Sequence, residues 1–216
     1  MDEKNLLHII GLILLYLIVG SGIYAIFYIL PPEATGFTEY RILFFHLPCS
    51  IISYVSFTIT LIASVLYLWK REERWDELAS ASVRIGLVFI TLATVTGAIF
   101  SNVEWGRYWN WDPKQTTTLI LWFVYAAYLT LRSSIENPEA RARISSILGI
   151  FGYFTIPLTY FSTRIWASSL HPPGSATLDP VMKNVLILMI SGFLIFYFYL
   201  ISYEVRLKRL NEVINR

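Results

Sequence analysis

Apolar residues gather along this chain into six runs, at about 8–30, 42–69, 84–100, 113–131, 144–162 and 183–203, with short polar or Pro-containing stretches between them. Each run is close to the roughly 20 helical residues needed to cross the hydrocarbon of a bilayer. None has Asp, Glu, Lys or Arg near its middle. The pattern predicts an all-α integral membrane protein with six transmembrane helices in a single domain over 1–216. A Trp-rich loop at 101–116 joins helices three and four. The first run is too long for a removable signal peptide and lacks a small-residue cleavage site, so it is expected to stay as helix one.

Punctuation supports these elements. Pro31-Pro32 ends helix one, because neither residue can donate to a helical ladder, and an outward loop, 33–40, follows. Gly11, Gly20 and Gly22 would let a neighbouring helix come close. Pro48 falls in the first turn or two of helix two, where a missing N–H costs least. The mixed-charge run Lys70-Arg-Glu-Glu-Arg-Trp-Asp-Glu77 reads as a solvated face or a partner contact. Helix three has small residues at Ala93, Gly97 and Ala98. Asp112 can cap helix four, with Pro113 at its first position and Gln115 three residues on to reach back. Asn137-Pro138 breaks the chain before helix five, and Pro157 should kink that helix or loosen its outer half.

Composition agrees: 56% of residues are hydrophobic and 16% aromatic, far from a soluble average. Charge sets the orientation. Of the 17 Lys and Arg residues, all but Arg41, Arg107, Lys114, Arg164 and Lys183 fall on one side, from Lys4 through Arg132 to the tail Arg206, Lys208, Arg209 and Arg216. The positive-inside rule makes that side cytoplasmic and both termini with it. The Trp-rich loop then faces outward, an extracytoplasmic amphipathic segment. The net charge of +2 carries no separate message about nucleic acid.

The candidate chemistry lies on that outer side. Glu104-Trp105-Gly106-Arg107-Tyr108-Trp109-Asn110-Trp111-Asp112 packs three indoles and a phenol into seven residues. An aromatic belt at the headgroup level is one reading. If 106–112 are helical, Trp105, Tyr108, Trp109 and Asp112 share a face and form a flat shelf. His46, near the start of helix two, and His171, held in an extended segment by Pro172, fall on the same side. A flat ligand with apolar faces, a central metal and two carboxylates would use this set, with Arg41, Arg107, Lys114 and Arg164 as cations, and haem is such a ligand. Zinc suits it less, since two histidines fill half a tetrahedron. Cys49 reads as a small buried residue, or as an auxiliary soft ligand near His46. His8, on the inner side, has no obvious partner. With no intramembrane charge, no phosphate-binding Gly-rich loop and no nucleophile paired with a base, ion carriage, ATP hydrolysis and catalysis are not expected.

Trp105-Gly106-x-x-Trp109-x-Trp111-Asp112 resembles the WWD signature of the haem-handling proteins of cytochrome c maturation. Arg41-Ile-Leu-Phe-Phe-His46-Leu-Pro48 and Trp166-Ala-Ser-Ser-Leu170-His171-Pro172 look like the two histidine segments of its haem exporter protein C (CcmC) branch, and the likeness covers nearly the whole chain. The resemblance implies haem b held non-covalently, with His46 and His171 as axial ligands. Trp105, Tyr108, Trp109, Trp111, Asp112 and Trp166 would border it, with the four cations nearby. It also implies delivery to a CcmE-like haem chaperone, an ABC-type CcmAB-like ATPase complex and a small CcmD-like subunit as partners, at the cytoplasmic membrane. Asp112-Pro113-Lys114-Gln115 is similar to the longer CcsA-type cytochrome c synthetase branch, so a compact relative that presents haem to apocytochrome c is the alternative. A transporter for another amphipathic solute is the alternative of a different class.

Overall fold

The computed structural model describes residues 3–31, 40–171 and 178–214, and all regular structure among them is helical. The outward loop expected over 33–40 lies almost wholly outside the described residues, as do residues 172–177 and the side chains of Lys208 and Arg209. The helices are α1 (Glu3–Tyr24), α2 (Leu43–Lys70), α3 (Glu73–Trp105), α4 (Pro113–Ser134), α5 (Pro138–Gly152), α6 (Thr155–Ile165) and α7 (Pro180–Ile214). Five spans are long and apolar enough to cross a membrane: His8–Ile29, Tyr40–Lys70, Glu73–Trp105, Pro138–Ile165 and Pro180–Leu207. The fourth expected span, α4, has the length, at 22 residues, but is diluted by Lys114, Gln115, three consecutive threonines and Arg132.

Helix five is two helices. Pro157 has no N–H for the carbonyl of Tyr153 four residues back, and its ring would collide with that carbonyl. The chain turns at Tyr153-Phe154, where the Tyr153 and Phe154 amides bond three residues back, to Ile150 and Phe151, at 3.3 and 3.2 Å. α5 packs on α2 and α4, whereas α6 packs on α4. The break therefore gives the two halves different neighbours.

α2 and α3 form the central pair. The Ser56 hydroxyl donates to the Ser82 carbonyl, the Ser82 hydroxyl to the Ser56 carbonyl at 2.7 Å, and the Tyr197 hydroxyl lies 2.6 Å from Ser82 Oγ, tying in α7. A Cβ on Gly86 would sit 2.7 Å from the Phe57 ring, so these helices need glycine there to approach. Of the three glycines of α1, Gly22 meets Met189 of α7, while Gly11 and Gly20 face open space and serve no close approach.

The end of the bundle at the α2–α3 turn, expected from charge to be the inner one, is pinned by ion pairs. Arg132 donates to both carboxylate oxygens of Asp76 at 2.6 Å, and Arg84 Nε donates to Glu204 at 2.6 Å. The expected solvated run is thus largely the first turns of α3, with Asp76 and Glu77 buried. His8, expected to be unpartnered, meets the Tyr199 hydroxyl at 2.9 Å.

Candidate functional site

At the opposite end of the bundle, expected to be the outer one, α3 stops at Gly106, which takes a left-handed backbone (φ 74°) and donates to the Asn102 carbonyl at 3.0 Å. Residues 107–112 are irregular. The expected helical shelf, with Trp105, Tyr108, Trp109 and Asp112 on one face, is therefore not formed. Trp111 itself has φ 56°, a strained value for a bulky side chain. What fixes this loop is buried Ser101: its hydroxyl donates to the Arg107 carbonyl at 2.8 Å and accepts from Asn110 Nδ2 at 2.7 Å and Gln115 Nε2 at 3.1 Å. Gln115 reaches past the cap residue and accepts from the Asn110 amide at 2.8 Å, two residues further back than a capping box requires. Trp109 is thereby turned inward and Trp111 outward, their rings edge to face at 5.9 Å.

Asp112 does more than cap. Its side chain is fully buried and accepts from the Lys114 amide at 2.8 Å, as a cap should. The same carboxylate accepts from the Leu170 amide, from Ser169 Oγ at 3.0 Å and from His171 Nδ1 at 2.9 Å. One side chain thus starts α4 and holds the loop after α6. Trp105, the last residue of α3, stands edge-on to the His171 ring at 5.0 Å.

His46 is placed by a different device. Its Nδ1 lies 2.9 Å from the Ala93 carbonyl and 3.2 Å from Thr96 Oγ1. A carbonyl can only accept, so Nδ1 carries the proton and Nε2 presents its lone pair. Gly97 makes the room: a Cβ there would lie 2.9 Å from His46 Cε1. At His171 the Asp112 carboxylate fixes the same tautomer.

Both imidazoles line one cavity of about 310 Å³, at the low end of small-molecule pockets. Trp109 and Lys114 line it with them, as do Gln115, expected only as a capping residue, and Tyr160, which sequence reasoning did not single out. The cavity runs inward along α2 as far as Tyr54. Lys114 Nζ donates to the Thr159 carbonyl at 2.9 Å and lies 6.0 Å from the Tyr160 ring. The other expected cations point elsewhere. Arg41 Nε donates to the Ile26 carbonyl at 3.0 Å, within the π-helical turn Ala25–Ile29 that ends α1. Arg164 lies 5.9 Å from the Phe161 ring, and Arg107 is exposed. Tyr108, Trp111 and Trp166 are exposed as well. Cys49 is buried in the core of α2.

Burial and hydrogen bonding set the electrostatics of this corner. Burial pushes the Asp112 carboxyl up, but hydrogen bonds from the Leu170 amide, the charge of His171, and bonds from the Lys114 amide and Ser169 outweigh it and hold Asp112 below the usual carboxylate range. Burial lowers His171, and Asp112 offsets that in part, so the ring stays below its ordinary value and neutral, the form that binds iron. Two neutral imidazoles, apolar walls and a lysine at one cavity fit haem, while the described residues hold no group of three or more His, Cys, Asp or Glu that would suit a bare ion.

Fold and site together define a helical membrane protein with a paired-imidazole pocket at one end of its bundle. The family model for CcmC, heme exporter protein C, matches residues 3–216, and the chain belongs to that family. It is similar to the Heme exporter protein C of Paracoccus denitrificans, 28% identical over 186 residues that make up 82% of this chain and 77% of the relative. It is similar also to that of Rhodobacter capsulatus, 28% identical over 200 residues, 88% of this chain and 83% of the relative. A more local likeness, 34% identity over 114 residues, links 53% of this chain to 34% of the cytochrome c biogenesis protein CcsA of Hordeum vulgare.

Proposed function

We propose that this protein handles haem for cytochrome c biogenesis, holding haem b non-covalently at the outer face of the cytoplasmic membrane and passing it to a haem chaperone. His46 and His171 would hold its iron, Trp109 would border the macrocycle and Trp105 the His171 ring, and Lys114 would meet a carboxylate of the ligand. Both termini are cytoplasmic, and a CcmE-like chaperone, a CcmAB-like ATPase complex and a small CcmD-like subunit are the partners. The protein acts by binding and presentation and not as an enzyme. Bound haem supplies an iron that accepts two imidazoles. This chain contributes their alignment, the exclusion of water by indole and aliphatic walls, and a cation for a carboxylate.

The observation that carries the reading is that two imidazoles line one cavity with each Nδ1 already engaged, His46 to Ala93 and His171 to Asp112. That arrangement orients metal-binding histidines. The test is the absorption spectrum of the detergent-solubilised protein, expected to be that of six-coordinate b-type haem. His46→Ala and His171→Ala should each convert it to a five-coordinate form or empty it. Spectra unchanged in both variants would remove the ligand assignment.

A second reading, presentation of haem to apocytochrome c, is favoured by the local likeness to CcsA, whose identity over about half the chain exceeds that to the full-length relatives. Co-purification with apocytochrome c, and not with a haem chaperone, would select it.

A further inference from the structure

A second group of buried polar atoms lies in the inner half of the bundle, away from the outer cavity. Ser64 of α2, Tyr125 and Tyr128 of α4, and Ser145 and Ser146 of α5 are each 0 or 1% exposed. Their hydroxyls have no hydrogen-bond partner among the described residues. Serines and threonines inside helices normally bond back to their own helix. Elsewhere in α2 they do so, Ser50 to the His46 carbonyl at 3.0 Å and Thr60 to that of Ser56 at 3.1 Å. These five hydroxyls make no such bond.

They converge on one three-helix interface. A Cβ built on Gly149 of α5 would lie 2.9 Å from Ser64 Oγ and 3.4 Å from Tyr128 Cε2, so α2 and α4 meet over that glycine. Ser145 and Ser146 precede Gly149 by one turn, on the same face of α5. One turn the other way, a Cβ on Gly152 would lie 3.7 Å from the Tyr125 hydroxyl. Toward the inner surface, Arg132 is held by both carboxylate oxygens of Asp76. Toward the outer cavity the group is closed by Tyr125 stacked on Phe57, centroids 3.6 Å apart and planes within 6°.

An unsatisfied buried hydroxyl is costly, and five at one place would consume a large share of an ordinary domain's net stability. Hydroxyls are good partners for water, which needs two to four such groups. They suit a cation poorly here, because the carboxylate of Asp76 is already neutralised by Arg132.

We infer that the α2–α4–α5 interface is an internal water site. Ordered water satisfies Ser64, Tyr125, Tyr128, Ser145 and Ser146, enters from the inner aqueous side past Asp76 and Arg132, and stops at the Phe57–Tyr125 stack. The protein then has two compartments, an outer cavity of ligand size and an inner one of water size, with one aromatic layer between them. This assignment does not depend on what the outer cavity binds.

The full-length protein in lipid nanodiscs provides the test, by X-ray hydroxyl-radical labelling read out by mass spectrometry. Water bound beside Tyr125 and Tyr128 should label both at least several-fold more than Tyr197. Tyr197 is equally buried, but its hydroxyl is bonded to Ser82. Labelling no higher than that of Tyr197 overturns the proposal. Thermal unfolding supplies a second measurement: Ser145→Ala combined with Ser146→Ala should lower Tm, because it leaves the water and the remaining hydroxyls without partners. An unchanged or raised Tm, the result of deleting hydroxyls from a dry interface, overturns it too.

Discussion

His46 and His171 reach the same cavity by opposite means. His46 belongs to the α2–α3 pair, its ring wedged against Gly97 and bonded to the Ala93 carbonyl. Both helices of that pair hold the ring in place. His171 sits on a loop whose described hydrogen bonds to the rest of the protein beyond α6 converge on one side chain, the carboxylate of Asp112. One imidazole is thus as firmly held as the bundle, and the other is as firmly held as a single residue. Local opening follows the weakest ties, so a bound ligand would be let go from the His171 side. Hydrogen exchange should be faster at 166–171 than at 43–50, and equal protection at both would break the contrast.

The largest effect is expected from Asp112→Ala, which frees the His171 loop and leaves the Leu170 amide unsatisfied. Orienting partners of metal ligands are commonly worth 10–100-fold in affinity. Haem retention should fall toward the upper end of that range, with Tm lowered by far less than unfolding. Asp112→Asn keeps an acceptor but loses the charge, and should fall by about 10-fold. Retention equal to wild type in both would show that the carboxylate is a helix cap alone. Gly97→Ala sharpens the other half of the comparison. The added methyl must displace the His46 ring, so retention should drop by roughly 10-fold while exchange at 166–171 stays as it was. If exchange rises there as well, the two anchors are not independent.

A smaller effect is expected at Arg41. Because its Nε serves the Ile26 carbonyl, Arg41→Ala should destabilise the junction of α1 and α2 by about 2 kcal/mol, the scale of a hydrogen bond to a charged group. Haem retention should change by less than about twofold, within the scatter of surface changes. A large loss of retention at unchanged Tm would return Arg41 to the role its place in the sequence suggested.

That case shows what the sequence could carry. The six apolar runs locate the helices because bilayer thickness fixes their length, and Asp112-Pro113 and Pro157 mark a start and a break through backbone chemistry that needs no partner. The sequence could not show α3 beginning at Glu73, since Asp76 in its first turns is buried against Arg132, which arrives from α4. For the site, residue types pointed to His46, His171, Trp109 and Lys114, which do share a cavity. The expected shelf failed because Gly106 and Trp111 leave helical geometry. Arg41 turns from that cavity because a π-helical turn far back in the chain exposes a carbonyl to it. Ser101, which binds the whole loop, looks like any other serine until the backbone turns around it.

The smallest effect is one of pH, and it acts on one anchor. His171 has its pKa lowered by burial, with partial recovery from Asp112. Between its ordinary value of about 6.5 and the lowered native value, the unfolded or opened loop takes up a proton that the closed loop refuses. Stability of the closed form therefore falls as pH drops through that window. Asp112 has the same sign in a lower window, since its carboxyl is also held below its ordinary value of about 3.9. Acidifying from about pH 7 to pH 5 should therefore speed exchange at 166–171, after correction for the intrinsic pH dependence. In Asp112→Asn the lower window should vanish while the upper one deepens, because His171 loses the charge that partly restores it. Exchange that ignores pH in the wild type would mean that the loop opens without exposing the imidazole, and the single-residue anchor would have to be sought elsewhere than in the Asp112–His171 bond.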